Sequence, residues 1–194
     1  MPQQSVPRIL EFVHDLLQRC VQAGDTVIDA TMGNGHDTLA LAQHVGSTGQ
    51  VISFDIQPQA LANTLGLLQQ AGLEANVQLR LESHEHLAQN LSPELHGAIK
   101  LVIFNLGYLP GADKRITTRV DTTLTALEQA LSVLRPQGLL IVVVYPGHAQ
   151  GLEEHQALTT WVKALDSQYY IAAHYGLLNL ALRAPYVLAI EKIK

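Results

Sequence analysis

The sequence predicts an α/β fold: a seven-stranded, mostly parallel sheet with helices on both faces and an antiparallel strand in a C-terminal hairpin. Apolar runs of strand length alternate with helical patterns along most of the chain, which is typical of successive βαβ units. A turn containing two glycines joins the first strand to a helix. The last two strand patterns have only a loop between them, too short for a crossover helix, so that pair must run antiparallel.

Each element follows from this pattern in chain order. Residues 5–22 form a leading helix, because apolar residues recur there at helical spacing. We expect five parallel strands and then the hairpin strands at Thr26–Thr31, Gln50–Ile56, Val77–Glu82, Ile99–Asn105, Leu139–Tyr145, Tyr169–Leu177 and Tyr186–Ile193. The other helices are expected at about 36–45, 58–72, 84–91, 120–134 and 151–165, with an irregular segment at 106–119. Residues 1–194 are predicted to be a single domain, with its core over 25–194.

Composition restricts the class of protein. Hydrophobic residues make up 47% of the chain and charged residues 15%, which is ordinary for a soluble enzyme. The single cysteine, Cys20, excludes an intrachain disulfide and fits a reducing compartment. No export signal and no membrane-spanning apolar run is apparent, so we expect a cytoplasmic protein without membrane contact. The net charge of −5 argues against a general nucleic-acid-binding surface, so an RNA substrate would need a local basic cluster or a single exposed base.

The first motif is Asp29-Ala-Thr-Met-Gly-Asn-Gly-His-Asp-Thr38, where the first strand turns into a helix. Gly33 and Gly35 allow a positive φ and close approach of the backbone to a ligand, and the helix start offers unpaired N–H groups. Asp55 ends the second strand at the spacing expected of a carboxylate that binds a ribose. Together these residues predict a pocket for a nucleoside cofactor.

The identity of that cofactor depends on charge. A dinucleotide fingerprint would have a third glycine where this chain has Thr38. Asp29 and Asp37 would repel a pyrophosphate, whereas S-adenosylmethionine carries a cationic sulfonium and an ammonium group that tolerate them. The sequence therefore favours a methyl donor, with a nicotinamide cofactor as the alternative.

A second motif, Asn105-Leu-Gly-Tyr108, follows the fourth strand and resembles the Asn-Pro-Pro-Tyr loop of N-methyltransferases. The side-chain oxygen of Asn105 and the carbonyl of Leu106 can accept N–H bonds from an amine and orient it, and Tyr108 can stack on a base. We therefore predict Asn105 and Tyr108 as catalytic residues. The alternative is that Asn105 caps a turn and Tyr108 fills the core.

Three segments of the chain resemble a bacterial family of Rossmann-like class I methyltransferases long labelled putative rRNA methylases. They are the first motif, the second motif extended to Asn105-Leu-Gly-Tyr-Leu-Pro-Gly-Ala-Asp-Lys114, and Tyr145-Pro-Gly-His148. Members of the family are understood as tRNA (5-aminomethyl-2-thiouridine) methyltransferases. The resemblance covers nearly the whole chain. It implies an S-adenosylmethionine-dependent enzyme that methylates the aminomethyl group of 5-aminomethyl(-2-thio)uridine at the wobble position, with the tRNA anticodon region as partner.

The resemblance also implies roles for residues of this chain. The expected cofactor-binding residues are Asp29, Thr31, Gly33, Asn34, Gly35, Asp37 and Thr38 around the methionine end, Asp55 and Ile56 at the ribose, Ser83 and His84 at the adenine, and Asn105 beside the target amine. One departure is His148-Ala-Gln-Gly151, where the family has Pro-x-Gly after the histidine.

Candidate substrate-binding residues lie around the second motif. Lys114, Arg115 and Arg119 form the densest basic cluster, and Arg183 lies in the hairpin loop. Two interpretations are open: these side chains bind RNA phosphates, or they belong to solvated loops without a binding role. The other candidates are Tyr145 and His148, and His148 either accepts a proton from the substrate ammonium or contacts the base.

Other interpretations remain open at this point. His84 and His86 with Glu82 and Glu85 suggest a metal site, but no third ligand is evident and we expect no metal. Trp161 belongs to the core or to a contact in a possible homodimer. The alternatives in function are an rRNA or small-molecule amine methyltransferase, an NAD-dependent oxidoreductase and a nucleoside-binding module without catalysis.

Overall fold

The computed structural model describes residues 5–180 and 183–194. The strands are β1 Thr26–Asp29, β2 Gln50–Asp55, β3 Val77–Leu81, β4 Ile99–Asn105, β5 Leu134–Val144, β6 Tyr170–Gly176 and β7 Tyr186–Lys192. They form one seven-stranded sheet in the order β3-β2-β1-β4-β5-β7-β6. β7 runs antiparallel to both neighbours, and the other described pairs are parallel. The predicted fold class is therefore confirmed.

The α-helices are α1 Ile9–Cys20, α2 His36–Val45, α3 Pro58–Ala71, α4 Val120–Val133 and α5 Ala149–Ala164. None of the helices in the described parts of the chain is long and apolar enough to cross a membrane. Trp161 of α5 is partly buried against the apolar core, which favours the core interpretation of this residue.

Alternate residues of the central strands face opposite sides of the sheet, as the two-residue period of a strand requires. Ile28 of β1 and Phe104 of β4 lie in one apolar cluster, with residues of α4 and α5. Val27 and Ile103 lie in the other, with residues of α1, α2 and α3. Helices therefore cover both faces, which explains why the central strands are almost continuously apolar.

Several boundaries differ from the prediction. The helix predicted near 84–91 is a pair of short 3₁₀ turns at His84–His86 and Ala88–Asn90. β5 begins at Leu134, five residues earlier than expected, because Ile99 pairs with Leu134 before an irregularity that includes Gln137 at φ 61°. The leading helix begins only at Ile9, after an extended Arg8.

The strand order reverses between β1 and β4, whose carboxyl ends diverge into two sets of loops. In open α/β sheets such a point leaves a crevice in which ligands bind. Both sequence motifs follow these two strands, so the fold brings them to the same crevice.

Candidate active site

A cavity of about 1010 Å³ opens at the carboxyl ends of the central strands. It is lined by the segments after β1, β2, β3 and β4, by Leu10 and His14 of α1, and by a far rim that includes Arg119, His148 and Arg183. The size is at the upper end for a small-molecule site.

The glycine turn after β1 is held rigidly against Asp55. Gly33 has a φ of 52°, and its N–H donates to Asp55 Oδ2 at 3.1 Å. Asp55 Oδ1 accepts the N–H of Gln57 at 2.9 Å. Each carboxylate oxygen keeps a lone pair for a further donor, because a carboxylate offers about four acceptor sites. Burial raises the pKa of Asp55, while these backbone N–H groups lower it.

Gly35 allows α3 to pack directly against the turn. It has a φ of 85°, and a Cβ at this position would lie 2.9 Å from the backbone of Thr64 in α3. Only glycine allows α3 to pack this closely. Gly35 is buried and does not line the cavity, so the structure shows a packing role for it, and its predicted contact with a cofactor stays a prediction.

Asp29 and Thr38 lie beneath the cavity and do not line it. Both have an exposed fraction of 0%. The Thr38 hydroxyl donates to Asp29 Oδ2 at 2.6 Å, and the N–H of Thr31 donates to Asp29 Oδ1 at 3.2 Å. Burial, and next the charge of Asp37, raise the pKa of Asp29 to about 7. In this structure the two side chains lie inside the protein and hold the turn in place, and their predicted contact with a cofactor stays a prediction.

Asp37 connects the two motifs. The side-chain amide of Asn105 donates to Asp37 Oδ2 at 2.7 Å, and the N–H of Asn105 donates to the Thr31 hydroxyl at 2.7 Å. A carboxylate accepts and does not donate, so this contact fixes which end of the Asn105 amide carries the nitrogen. The side-chain oxygen of Asn105 receives no hydrogen bond from any described residue and remains available as an acceptor.

α1 adds a wall that sequence reasoning missed. His14 Nε2 lies 3.4 Å from Asp37 Oδ1, and this hydrogen bond raises the pKa of His14. Leu10, half exposed, lines the cavity one turn earlier. Helical spacing in the sequence predicts α1 but gives no sign of which residues reach the neighbouring loops.

Ser83 and His84, which follow β3, line the cavity. Burial lowers the pKa of His84. Its Nε2 is buried and makes no hydrogen bond with any described residue. Within the described ranges, no group of three or more His, Cys, Asp or Glu side chains is arranged to hold a metal ion.

The segment 106–119 forms a loop that closes on itself. The N–H of Thr118 donates to the carbonyl of Gly107 at 3.0 Å, and Tyr108 pairs with Thr117 in an antiparallel bridge. Lys114 Nζ lies 5.3 Å from the centre of the Tyr108 ring, within the range of a cation–π contact. Tyr108 is thus held at the cavity wall with a cation beside it.

The predicted basic residues differ in their ion pairing and in whether they line the cavity. Arg115 forms an exposed ion pair with Asp113 at 2.6 Å, and Arg119 lies 3.5 Å from Asp121. Arg119 and Arg183 line the cavity, whereas Lys114 and Arg115 do not.

His148 caps α5, because its Nδ1 accepts the N–H of Gly151 at 3.1 Å. A neutral imidazole that accepts at Nδ1 carries its proton on Nε2. The proton-accepting role is therefore disfavoured in this geometry. Nε2 is buried without a partner in the described part of the chain, and the His148 and Tyr108 ring centres are 5.7 Å apart.

Most predicted site residues meet at one cavity. Those that line it are Thr31, Gly33, Asn34, Asp37, Asp55, Ile56, Ser83, His84, Asn105, Tyr108, Arg119, Tyr145, His148 and Arg183. Those that do not are Asp29, Gly35, Thr38, Lys114 and Arg115.

The strand order, the single reversed strand and the crevice between β1 and β4 are those of the Rossmann-like methyltransferase fold. A putative rRNA-methylase from Clostridium thermocellum superposes with a TM-score of 0.93 at 38% identity, over 98% of this chain and 100% of that one. A putative methyltransferase from Streptococcus mutans, solved in complex with SAH, superposes with a TM-score of 0.86 at 36% identity, over 97% and 99% of the two chains.

The family model for "Putative rRNA methylase" matches residues 51–191, and the chain belongs to this family. A chloroplastic tRNA (mnm(5)s(2)U34)-methyltransferase from Arabidopsis thaliana is 39% identical over 175 residues, which are 87% of this chain. The match spans 64% of the plant protein's length. The family match begins in β2, so the glycine turn and α1 lie outside it.

Proposed function

We propose that this chain is an S-adenosylmethionine-dependent RNA methyltransferase that methylates the aminomethyl group of 5-aminomethyl(-2-thio)uridine at the tRNA wobble position. The observation that carries the proposal is Asn105, whose amide nitrogen is anchored on Asp37 while its oxygen stays available at the cavity. The relatives support the finer parts, since one was solved with SAH and another is named for mnm(5)s(2)U34 in tRNA.

The donor half of the cavity suits a cationic cofactor. When bound, S-adenosylmethionine supplies an electrophilic methyl group on a sulfonium. Asp55 has lone pairs left for ribose hydroxyls, and Asp37 can accept the ammonium of the methionine end. Gly33 and Asn34 border the same end, and Ile56, Ser83 and His84 flank the adenine. The two carboxylates that line the pocket, Asp37 and Asp55, would disfavour a pyrophosphate.

The acceptor half orients an amine. The Asn105 side-chain oxygen and the Leu106 carbonyl accept its N–H bonds, so that the nitrogen lone pair faces the methyl group. The N–C bond forms as the C–S bond breaks, with the electron pair of that bond left on sulfur, and the surplus proton leaves the product ammonium for water. Fixed orientation of the reacting atoms supplies most of the acceleration, and no covalent nucleophile is needed.

RNA is held by one base and a few phosphates. Tyr108 stacks on the flipped uracil ring, a mode of recognition common for single-stranded RNA. Tyr145 and the ring of His148 line the same part of the cavity and contact the base. Lys114, Arg119 and Arg183 bind phosphates, while Arg115 contributes less because Asp113 already pairs with it.

The test has a binding arm and a chemical arm. Calorimetry should detect S-adenosylhomocysteine at micromolar or tighter affinity (about −8 kcal/mol) and NAD far more weakly. Labelled methyl groups should then be transferred to tRNA from cells lacking this gene, and nucleoside mass spectrometry should find the label in 5-methylaminomethyl(-2-thio)uridine. Label in rRNA instead of tRNA, or preferential binding of NAD, would overturn the proposal.

A further inference from the structure

Glu154 is a buried carboxyl group that the proposed chemistry does not use. It lies in the first half of α5 with an exposed fraction of 1%. Its Oε1 accepts the hydroxyl of Thr123 at 2.7 Å, and its Oε2 accepts the hydroxyl of Thr118 at 2.8 Å. One side chain therefore joins α5 to α4 and to the end of the 106–119 loop.

Burying this group is unfavourable by itself. Burial raises the pKa of Glu154, while the two threonine hydroxyls and, less strongly, His148 lower it. A well-packed apolar side chain would hold α4 against α5 without desolvating a carboxyl group. A hydrogen-bonding side chain, unlike an apolar one, also fixes the position of the Thr118 hydroxyl.

Thr118 is the residue at which the loop closes. It lines the cavity, and its N–H donates to the carbonyl of Gly107 at 3.0 Å. The preceding Thr117 pairs with Tyr108. Glu154 thus fixes the closing end of a loop that opens at Asn105 and carries Tyr108 along the cavity wall.

We propose that Glu154 is a positioning residue for the substrate nucleobase. Glu154 acts by holding Thr118, and with it the 106–119 loop, in the conformation that presents Tyr108 to the cavity. The expected effect of Glu154 on turnover rests on the proposed function. Its expected effect on the conformation of the 106–119 loop does not.

The chain offers a matched pair of variants. Thr118→Val and Thr123→Val each remove one hydroxyl from the same carboxyl group without much change in volume, but only the first releases the loop. We expect Thr118→Val to lower kcat/KM for tRNA about tenfold and Thr123→Val less than about twofold, at similar losses of Tm. The affinity for S-adenosylhomocysteine should stay within about twofold of the parent in both. Glu154→Gln, which keeps an acceptor oxygen, should retain more activity than Glu154→Leu.

Hydrogen exchange provides a readout that needs no activity. Amide exchange at residues 106–119 should become faster in Thr118→Val and remain unchanged in Thr123→Val. Equal effects of the two variants on exchange, or unaltered exchange in Thr118→Val, would overturn the role of Glu154. If the parent protein methylates no RNA, the proposed function fails, and the exchange contrast still decides this one.

Discussion

The two halves of the cavity are built differently. The donor half rests on the short turn between Asp29 and His36, where backbone N–H groups and buried carboxyl groups fix almost every position. The acceptor half rests on the 106–119 loop, which is fixed at its ends by Asp37 and Glu154 and carries exposed cations between them. The segment proposed to bind the cofactor is thus short, tightly hydrogen-bonded and acidic, whereas the segment proposed to face the substrate is longer and carries basic residues.

The largest expected effect lies in the donor half. Asp55→Ala removes the acceptor for the N–H of Gly33 and Gln57 and the proposed partner of the ribose, so the affinity for S-adenosylhomocysteine should fall by at least about 100-fold in calorimetry. Asp113→Ala, which removes an exposed carboxylate from the acceptor half, should leave that affinity unchanged. A weak effect of Asp55→Ala would remove the basis for placing the ribose there.

Asn105→Ala should separate the two halves. The variant keeps the donor half, so its affinity for S-adenosylhomocysteine should remain within about threefold of the parent. It lacks the oxygen that orients the amine, so single-turnover methyl transfer should slow by roughly 100-fold. Equal loss of cofactor binding and of turnover would contradict the assigned role.

The burial of Asp29 predicts a pH dependence of stability. Its pKa is raised to about 7 in the folded protein, so the folded state holds this proton more tightly than the unfolded state and loses stability as pH rises from about 4 to 7. An asparagine side chain at this position would mimic the protonated carboxyl group, so in Asp29→Asn that loss, roughly 4 kcal/mol over the whole range, should be absent. Urea titrations of parent and variant at pH 5 and pH 7.5 measure the difference, and a constant difference would refute the raised pKa.

The smallest expected effect concerns the cations of the acceptor half. Lys114→Ala should weaken tRNA binding about threefold and lower the slope of log K against log salt by about one. Arg115→Ala should change both less, because Asp113 already neutralises Arg115. Filter binding at several salt concentrations compares the two variants, and a larger effect of Arg115→Ala would mean that the ion pair opens on RNA.

Sequence reasoning reached the sheet and the strand order at the crevice and placed most of its candidate residues at the cavity, because apolar periodicity and glycine turns are local signals. It could not tell that Asp29 and Thr38 point inward, since the direction of a side chain at a strand end depends on the helices packed beneath it. It missed His14 and Glu154 for a similar reason. A polar residue on a helix is usually exposed, and only the arrival of Asp37 at His14 and of Thr118 and Thr123 at Glu154 gives these residues partners.

The direction of β7 has a consequence for the cavity rim. Because β7 runs opposite to β5, its first residue, Tyr186, pairs with Val144 at the carboxyl end of β5. Arg183 and Pro185 therefore arrive at the rim of the cavity. Had β7 run the other way, its preceding residues would have emerged at the far end of the sheet. Reversing one strand thus lets the last part of the chain deliver a guanidinium to a site that the first part of the chain began.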